Sequence, residues 1–145
     1  MSLKTTKGFT LVEIMLVVII IGVLAAMVIP NLSGRSQQAR VAAARADIDA
    51  NITAALDLYE LDNGYYPTGE QGLRALIEKP NSSPVPPNWN GSYLKKKRIP
   101  VDPWGRDYVY VAPGVHNPEE FDLYSLGPDG VESADDITNW TDLGE

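Results

Sequence analysis

The sequence predicts an α+β fold in which one long N-terminal helix packs on a small antiparallel sheet. Residues 11–29 form an apolar run in which Glu13 is the only charged residue. Residues 31–62 mix apolar and charged helix-forming residues, and no proline follows Pro30 until Pro67. Residues 107–111 and 121–125 alternate apolar and polar positions between glycines and prolines, which indicates two strands.

The apolar run is long enough to cross a membrane. At about 1.5 Å per helical residue, its 19 residues extend over roughly 28 Å, close to the hydrocarbon thickness of a bilayer. We therefore predict a transmembrane helix over residues 9–30. The helix is expected to continue outside the membrane over residues 31–62, with Pro30 as a weak point, and to stop at Asn63 and Gly64. A globular head over residues 63–145 follows.

The first eight residues are typical of a short leader. Lys4 and Lys7 favour a cytoplasmic N-terminus, so the rest of the chain is expected to face outward. Cleavage between Gly8 and Phe9 would precede the apolar run and leave it on the mature protein. The new amino group of Phe9 would then share a helix face with Glu13, four residues later. Glu13 is either tolerated at the headgroup boundary or paired with that amine, within one helix or between subunits.

Residues 8–13, Gly-Phe-Thr-Leu-Val-Glu, resemble the prepilin peptidase motif of type IV pilins and type II secretion pseudopilins. The resemblance implies cleavage after Gly8 by a prepilin peptidase and N-methylation of Phe9. It also implies assembly into a filament whose core is a bundle of these helices. Phe9, Glu13 and Pro30 are the expected assembly residues.

Composition narrows the classes of function. The chain has 145 residues, and its 12 basic and 19 acidic residues give a net charge of −7, which becomes −9 without Lys4 and Lys7. An acidic head argues against nucleic-acid binding, although residues 95–98 form one basic run that we interpret as a solvated loop. The sequence contains no cysteine, so disulfides cannot hold the head together.

Other features of the head indicate structure rather than chemistry. Residues 70–79 predict a short helix that Thr68 would cap. Tyr65, Tyr66 and Trp89 are expected to pack this region on the long helix rather than to bind a ligand. We interpret His116, the only histidine, as a surface residue without a partner for catalysis or metal binding.

The C-terminal segment gathers four carboxylates within eight residues, namely Asp129, Glu132, Asp135 and Asp136. Ser133 and the carbonyls of the preceding Gly-Pro-Asp-Gly turn offer neutral oxygens. A hard divalent cation with six to eight oxygen ligands would relieve the repulsion, and calcium suits such an irregular loop. The spacing does not match an EF-hand. A solvated acidic loop is the alternative, and composition alone favours it.

Several segments resemble the major pseudopilin family of the type II secretion system. They are residues 65–68 (Tyr-Tyr-Pro-Thr), 71–73, 94–95, 100–105 (Pro-Val-Asp-Pro-Trp-Gly), 121–127, 135–137 and 139–140. The resemblance implies a type IV pilin-like fold whose C-terminal loop binds Ca²⁺. Carried over by position, the implied ligands are the carbonyls of Leu126 and Val131 and the side chains of Asp129, Ser133 and Asp135, with Asp136 beside them.

The function expected from this resemblance is structural. The protein would be a single-pass protein of the bacterial inner membrane with its head in the periplasm. It would polymerise into a pseudopilus that drives folded proteins across the outer membrane, together with minor pseudopilins and an inner-membrane assembly platform. The alternative is a type IV pilin of an adhesion, motility or DNA-uptake filament, although such pilins usually contain a cysteine pair. An enzyme is not expected, because no nucleophile–base pair, phosphate loop or metal-hydrolase spacing occurs.

Overall fold

The computed structural model describes residues 8–141, and for residues 27–33 the description extends to the backbone alone. The described residues fall into two compact units that divide between Gln38 and Ala39. Residues 1–7 of the predicted leader lie outside the described part of the chain. The side chain of Pro30 and the end of the predicted span, residues 27–30, also lie outside it.

Helical structure begins at Leu11. Helix α1 extends over Leu11–Ala46, a π-helical segment over Asp47–Ile52, and helix α2 over Thr53–Asn63. The predicted helix is therefore present but changes its hydrogen-bond register in the middle. The hydroxyl of Thr53 donates to the carbonyl of Ile48, five residues earlier, at 2.6 Å, which fits the wider π turn. Among the fully described residues, no helix combines the length and hydropathy that a membrane crossing requires.

The end of α2 is the predicted stop. Gly64 follows with φ +82° and donates its backbone N–H to the carbonyl of Glu60 at 2.6 Å. Glycine adopts this left-handed conformation without steric conflict, so the chain leaves the helix there.

The predicted helix over residues 70–79 is wrong in length. The structure has only a 3₁₀ helix, Leu73–Leu76. Gly72, with φ +59°, breaks the helical path before it, and the buried Gln71 amide donates to the carbonyls of Ser82 and Pro84 at 3.0 Å each. Thr68 does cap the turn, because its hydroxyl accepts the N–H of Gln71 at 3.2 Å.

The sheet has three antiparallel strands among the described residues. Strand β1 (Val109–Val111) pairs with β2 (Asp122–Ser125), and β2 pairs with β3 (Ile137–Thr138). Both predicted strands are confirmed with shorter bounds, and β3 was not predicted. The register places Val109 opposite Tyr124 and Ser125 opposite Ile137, so β2 is the central strand.

The core lies between the C-terminal half of the helical region, the loop after it and strand β2. Its buried apolar residues are Ala44, Ile48, Ile52, Ala55, Leu56, Tyr59, Leu73, Ala75, Leu76, Leu94, Tyr108, Phe121, Leu123 and Ile137. Tyr65, Tyr66 and Trp89 pack against this cluster, which confirms their predicted role. The indole N–H of Trp89 also donates to the carbonyl of Ala75 at 2.8 Å.

The connection between β1 and β2 is organised by the buried carboxylate of Asp122. It accepts the backbone N–H groups of Val115, His116 and Asn117 at 2.7–3.0 Å, and it lies 3.1 Å from Nδ1 of His116. Burial alone would raise the pKa of Asp122, but these hydrogen bonds outweigh it and lower that pKa below its usual value. The ionised carboxylate therefore stabilises the fold.

We predict that Asp122→Asn lowers the free energy of unfolding by about 2 kcal/mol at pH 7, because an amide cannot accept all of these donors. The stabilisation by ionised Asp122 is complete above the unfolded-state pKa of about 4 and is lost as the pH falls through the lower folded-state pKa. The deficit of the variant should therefore shrink only in strong acid. Denaturant unfolding at several pH values measures it, with exposed Glu119→Gln from the same loop as the control. Equal stabilities at pH 7 would contradict the role of Asp122.

Candidate functional site

The start of helix α1 contains a reciprocal cap. Glu13 donates its backbone N–H to the hydroxyl oxygen of Thr10 at 3.2 Å, and the carboxylate of Glu13 accepts the N–H of Thr10 at 3.4 Å. This is a capping box, and a carboxylate is favourable at the positive end of a helix dipole. The sequence analysis missed it, although Thr10-x-x-Glu13 is the expected signature. Glu13 thus has a partner inside its own chain.

The predicted processing site lies just before this cap. Gly8 and Phe9 are exposed and precede the first helical residue, and the Phe9 side chain is 79% exposed. An exposed segment outside regular secondary structure is accessible to a peptidase. The described geometry is therefore compatible with the predicted cleavage between Gly8 and Phe9.

The acidic loop begins where β2 ends. The carbonyl of Leu126 accepts the N–H of Gly130 at 3.2 Å, and a carboxylate oxygen of Asp129 accepts the N–H of Val131 at 3.1 Å. These two bonds form the predicted tight turn. They also occupy one lone pair each on two oxygens that the resemblance assigns to a cation.

Ser133 joins two of the predicted ligands. Its hydroxyl lies 3.2 Å from Oδ2 of Asp129 and in a short hydrogen bond to Oδ1 of Asp135. A hydroxyl has one proton, so it can donate to one carboxylate at a time. The structure thus brings the side-chain oxygens of Asp129, Ser133 and Asp135 together at one place.

Asp136 differs from its neighbours. Its backbone N–H donates to the carbonyl of Ser133 at 3.3 Å, but no group in the described part of the chain donates a hydrogen bond to its buried Oδ1. Burial raises the pKa of Asp136, and the negative charges of Asp135, Asp129 and Glu132 add to the rise. A buried carboxylate oxygen with unfavourable neighbours is an unsatisfied acceptor that a cation could satisfy.

In the described part of the chain, no three Asp, Glu, His or Cys side chains form a group that could hold a metal ion by themselves. Exposed Glu132 makes no hydrogen bond to another described residue, but its negative charge adds to the raised pKa of Asp136. Any cation held here would therefore need the hydroxyl of Ser133 and backbone carbonyls beside the carboxylates.

A buried polar network supports the start of the loop, and sequence reasoning missed it. Asp102 accepts the N–H groups of Trp104 and Arg106 on one oxygen, at 3.0 and 2.8 Å, and the hydroxyl of Ser125 on the other at 2.7 Å. The Ser125 oxygen in turn accepts the N–H of Gly127 at 3.2 Å. An Asp two residues before a Trp-Gly pair does suggest a turn, but its bond to Ser125 depends on the fold.

His116 has partners that the sequence analysis did not expect. Its Nδ1 lies 3.1 Å from Oδ2 of Asp122, and its ring stacks on Trp140 with the ring centroids 4.0 Å apart. The side chain is 46% exposed, so the prediction of a surface residue is right, although the carboxylate of Asp122 beside the ring was not anticipated. These contacts hold the C-terminal segment against the loop before β2.

Two family models match the sequence. Residues 31–140 match the family described as Type II secretion system (T2SS), protein G, and residues 3–29 match the prokaryotic N-terminal methylation motif. The first match alone covers most of the chain. The chain belongs to the type II secretion system protein G family.

Members of the protein G family from several bacteria are similar over nearly the whole length. The chain is 54% identical over 145 residues to the type II secretion system core protein G of Pseudomonas aeruginosa, covering 97% of this chain and 99% of that protein. It is 52% identical over 136 residues to the core protein G of Escherichia coli K12, covering 92% and 90%. These names describe a component of a secretion system and not an enzyme.

A solved structure supports the same family. The major pseudopilin from the type 2 secretion system of enterohaemorrhagic Escherichia coli matches with a TM-score of 0.67 and 46% identity, covering 80% of this chain and 94% of that one. The predicted pilin-like α+β fold, a helix with a small antiparallel sheet, is thereby confirmed.

The charge repulsion at Asp136 leads to a prediction for this protein without divalent ions. Asp136→Asn should raise the free energy of unfolding by up to about 1 kcal/mol at pH 7, because it removes an unfavourable charge at a partly exposed site. Since the folded-state pKa of Asp136 is raised, the destabilisation by its charge is present at neutral pH and is lost as the pH falls below that pKa. The advantage of the variant should therefore narrow on acidification.

Thermal unfolding with a chelator, followed by tryptophan fluorescence, measures this difference. All three tryptophans, at positions 89, 104 and 140, lie in the predicted head, so the signal reports on that region. Exposed Glu70→Gln is the control for a change of charge elsewhere in the head. A lower melting temperature for Asp136→Asn under these conditions would refute the repulsion.

Proposed function

We propose that this chain is the major structural subunit of a type II secretion pseudopilus, which polymerises from the inner membrane to drive folded proteins across the outer membrane. The main support is the similarity to core protein G relatives, which are 54% and 52% identical to this chain over nearly its whole length. The structural match to a major pseudopilin supports it as well. The protein G family match favours a pseudopilin over an adhesion, motility or DNA-uptake pilin.

The exposed apolar surface of α1 supports a membrane anchor. Twelve large apolar side chains between positions 11 and 24 are each at least 45% exposed in the isolated chain. Such a surface, in which Glu13 is the only charged residue, requires lipid or other helices to cover it. We assign residues 9–30 to the membrane span, residues 31–62 to the periplasmic half of the helical region and residues 63–145 to the periplasmic head. The helices of neighbouring subunits would replace lipid as the filament grows.

Processing would create the partner that Glu13 needs during assembly. Removal of residues 1–8 by the prepilin peptidase leaves a methylated amine at Phe9. The carboxylate of Glu13 accepts the N–H of Thr10 and still has free lone pairs, since a carboxylate offers about four. We propose that it accepts a hydrogen bond from the Phe9 amine of a neighbouring subunit while it keeps its hydrogen bond to the N–H of Thr10. Such a pairing in a low-dielectric environment would fix the axial register of the filament.

Assembly should depend on the carboxylate of Glu13. We expect Glu13→Ala to insert normally, because it removes a charge from an apolar segment, but to assemble few or no filaments and to reduce secretion at least tenfold. Filament yield after shearing and the secreted fraction of a reporter protein measure this effect.

Two controls make the experiment with Glu13 decisive. Mass spectrometry should find Phe9 as the first residue with one added methyl group in both proteins, which separates assembly from processing. Thr10→Ala removes the hydroxyl of the cap but keeps the carboxylate, so it should assemble far better than Glu13→Ala. Normal filaments from Glu13→Ala would refute the pairing.

We also propose that the C-terminal loop holds Ca²⁺. The support is the convergence of oxygens from Asp129, Ser133 and Asp135, together with the unpartnered buried oxygen of Asp136. Carboxylate, hydroxyl and carbonyl oxygens are the donors that calcium prefers. The carbonyls of Leu126 and Val131 would complete the set. Bound calcium would neutralise the carboxylates and crosslink the loop, a role that disulfides fill in many exported domains.

Calcium should stabilise the processed full-length protein in detergent. At 100 times the dissociation constant, a ligand specific for the folded state adds about 2.7 kcal/mol, which corresponds to several degrees in melting temperature. Asp129→Ala and Asp135→Ala should abolish most of this increase and have little effect with a chelator present. Exposed Glu70→Gln should keep the full increase. A wild-type melting temperature that calcium does not change would exclude the site.

A further inference from the structure

Arg106 contacts the acidic loop from outside it. This half-buried residue lies in the turn that leads to β1. Its Nη1 donates to the carbonyl of Gly127 at 2.6 Å, and its Nη2 lies 3.4 Å from the carbonyl of Pro128. A guanidinium is planar and presents its donors in a fixed fork, so it can hold two successive carbonyls in one orientation.

The guanidinium also lies directly against the backbone of Gly130. A Cβ atom at position 130 would lie 2.5–2.6 Å from the Cζ, Nη2 and Nε atoms of Arg106. Gly130 has φ +74°, so a side chain would be strained there as well. Arg106 therefore occupies the space that a side chain at position 130 would fill, and it spans the turn from Gly127 to Gly130.

Arg106 is itself held by the head. Asp102 accepts its N–H at 2.8 Å and donates its own N–H to the carbonyl of Arg106 at 2.7 Å. Through its second carboxylate oxygen, Asp102 also binds Ser125, which accepts the N–H of Gly127. The start of the acidic loop is thus fixed from two sides, by the Ser125 hydroxyl and by the guanidinium.

We propose that Arg106 is a positioning residue that folds the acidic loop before calcium binds. The inference rests on the proposed calcium site for its functional meaning. By fixing residues 127–130, Arg106 places Asp129 within reach of Ser133 and reduces the ordering that binding must supply. Its positive charge acts in the opposite sense, because it repels a nearby cation. Ordering of the loop raises the calcium affinity and charge repulsion lowers it, so the affinity of a variant without Arg106 shows which effect is larger.

Arg106→Ala in the processed full-length protein tests this proposal with two measurements. In the presence of a chelator, hydrogen exchange should show at least tenfold less protection at the amides of Gly127, Gly130 and Val131, which all donate hydrogen bonds in the loop. Calorimetric titration with calcium should show a roughly tenfold weaker affinity, typical for the loss of a residue that supports metal ligands. Arg106→Lys keeps the charge but not the fork, so it should recover only part of either quantity.

Tyr65→Phe is the matched control, because it removes another side-chain hydrogen bond to a loop carbonyl, that of Pro84 at 3.1 Å. It should leave the protection of the acidic loop and the calcium affinity unchanged, even if it lowers global stability. Unchanged protection in Arg106→Ala, or a calcium affinity equal to or above that of the wild type, would overturn the proposal. If the wild type binds no calcium, the proposed metal site fails, while the exchange measurement still decides the role of Arg106.

Discussion

The apolar N-terminal part of α1 is the constraint on which the rest of the protein depends. Large apolar side chains from Leu11 to Leu24 are exposed on the isolated chain, and water is an unfavourable environment for all of them. Lipid covers such a surface in a membrane, and identical neighbours cover it in a filament. Apart from Glu13, the surface is apolar on every side, so its burial favours association but does not fix the axial register of one subunit against the next. Glu13 is the one group in this segment whose interaction is directional, so we propose that it supplies the register.

The head faces a different problem, because it must hold long loops without cysteine. Two buried carboxylates do this among the described residues. Asp122 gathers the N–H groups of the connection before β2, and Asp102 joins the turn before β1 to the end of β2. Hydrogen bonds to ionised groups are stronger than neutral ones, and a buried carboxylate that loses them is left unsatisfied. Each carboxylate therefore fixes several backbone segments at once, which gives loops of irregular structure a defined conformation.

The features that the sequence predicted are those set by local pattern. Helix-forming residues determine the helical region, and Gly64 determines its end. The alternation of apolar and polar residues determines β1 and β2. The cap at Thr10 was available in the same way and was missed. The short 3₁₀ helix and β3 depend on contacts between distant residues, such as Gln71 with Ser82 and Ser125 with Ile137. The converging oxygens of Asp129, Ser133 and Asp135 could be predicted because they are neighbours in sequence. Arg106 lies more than twenty residues away, and no local pattern connects it to the loop.

Arg106 and the proposed calcium ion would supply the acidic loop with two kinds of positive charge that have different properties. Arg106 is part of the chain itself and donates hydrogen bonds to backbone carbonyls, so it stabilises one backbone conformation of the loop whether or not a metal ion is present. Among the described residues, it makes no hydrogen bond to the carboxylates of the loop. Burial raises the pKa of Asp136, and the negative charges of Asp135, Asp129 and Glu132 add to that rise. A divalent ion would act on the carboxylates themselves. If both proposals hold, the loop would keep its shape without metal and would gain stability only where calcium is available. The proposed calcium ion would thus favour the fully ordered head on the side of the membrane where assembly is proposed to take place.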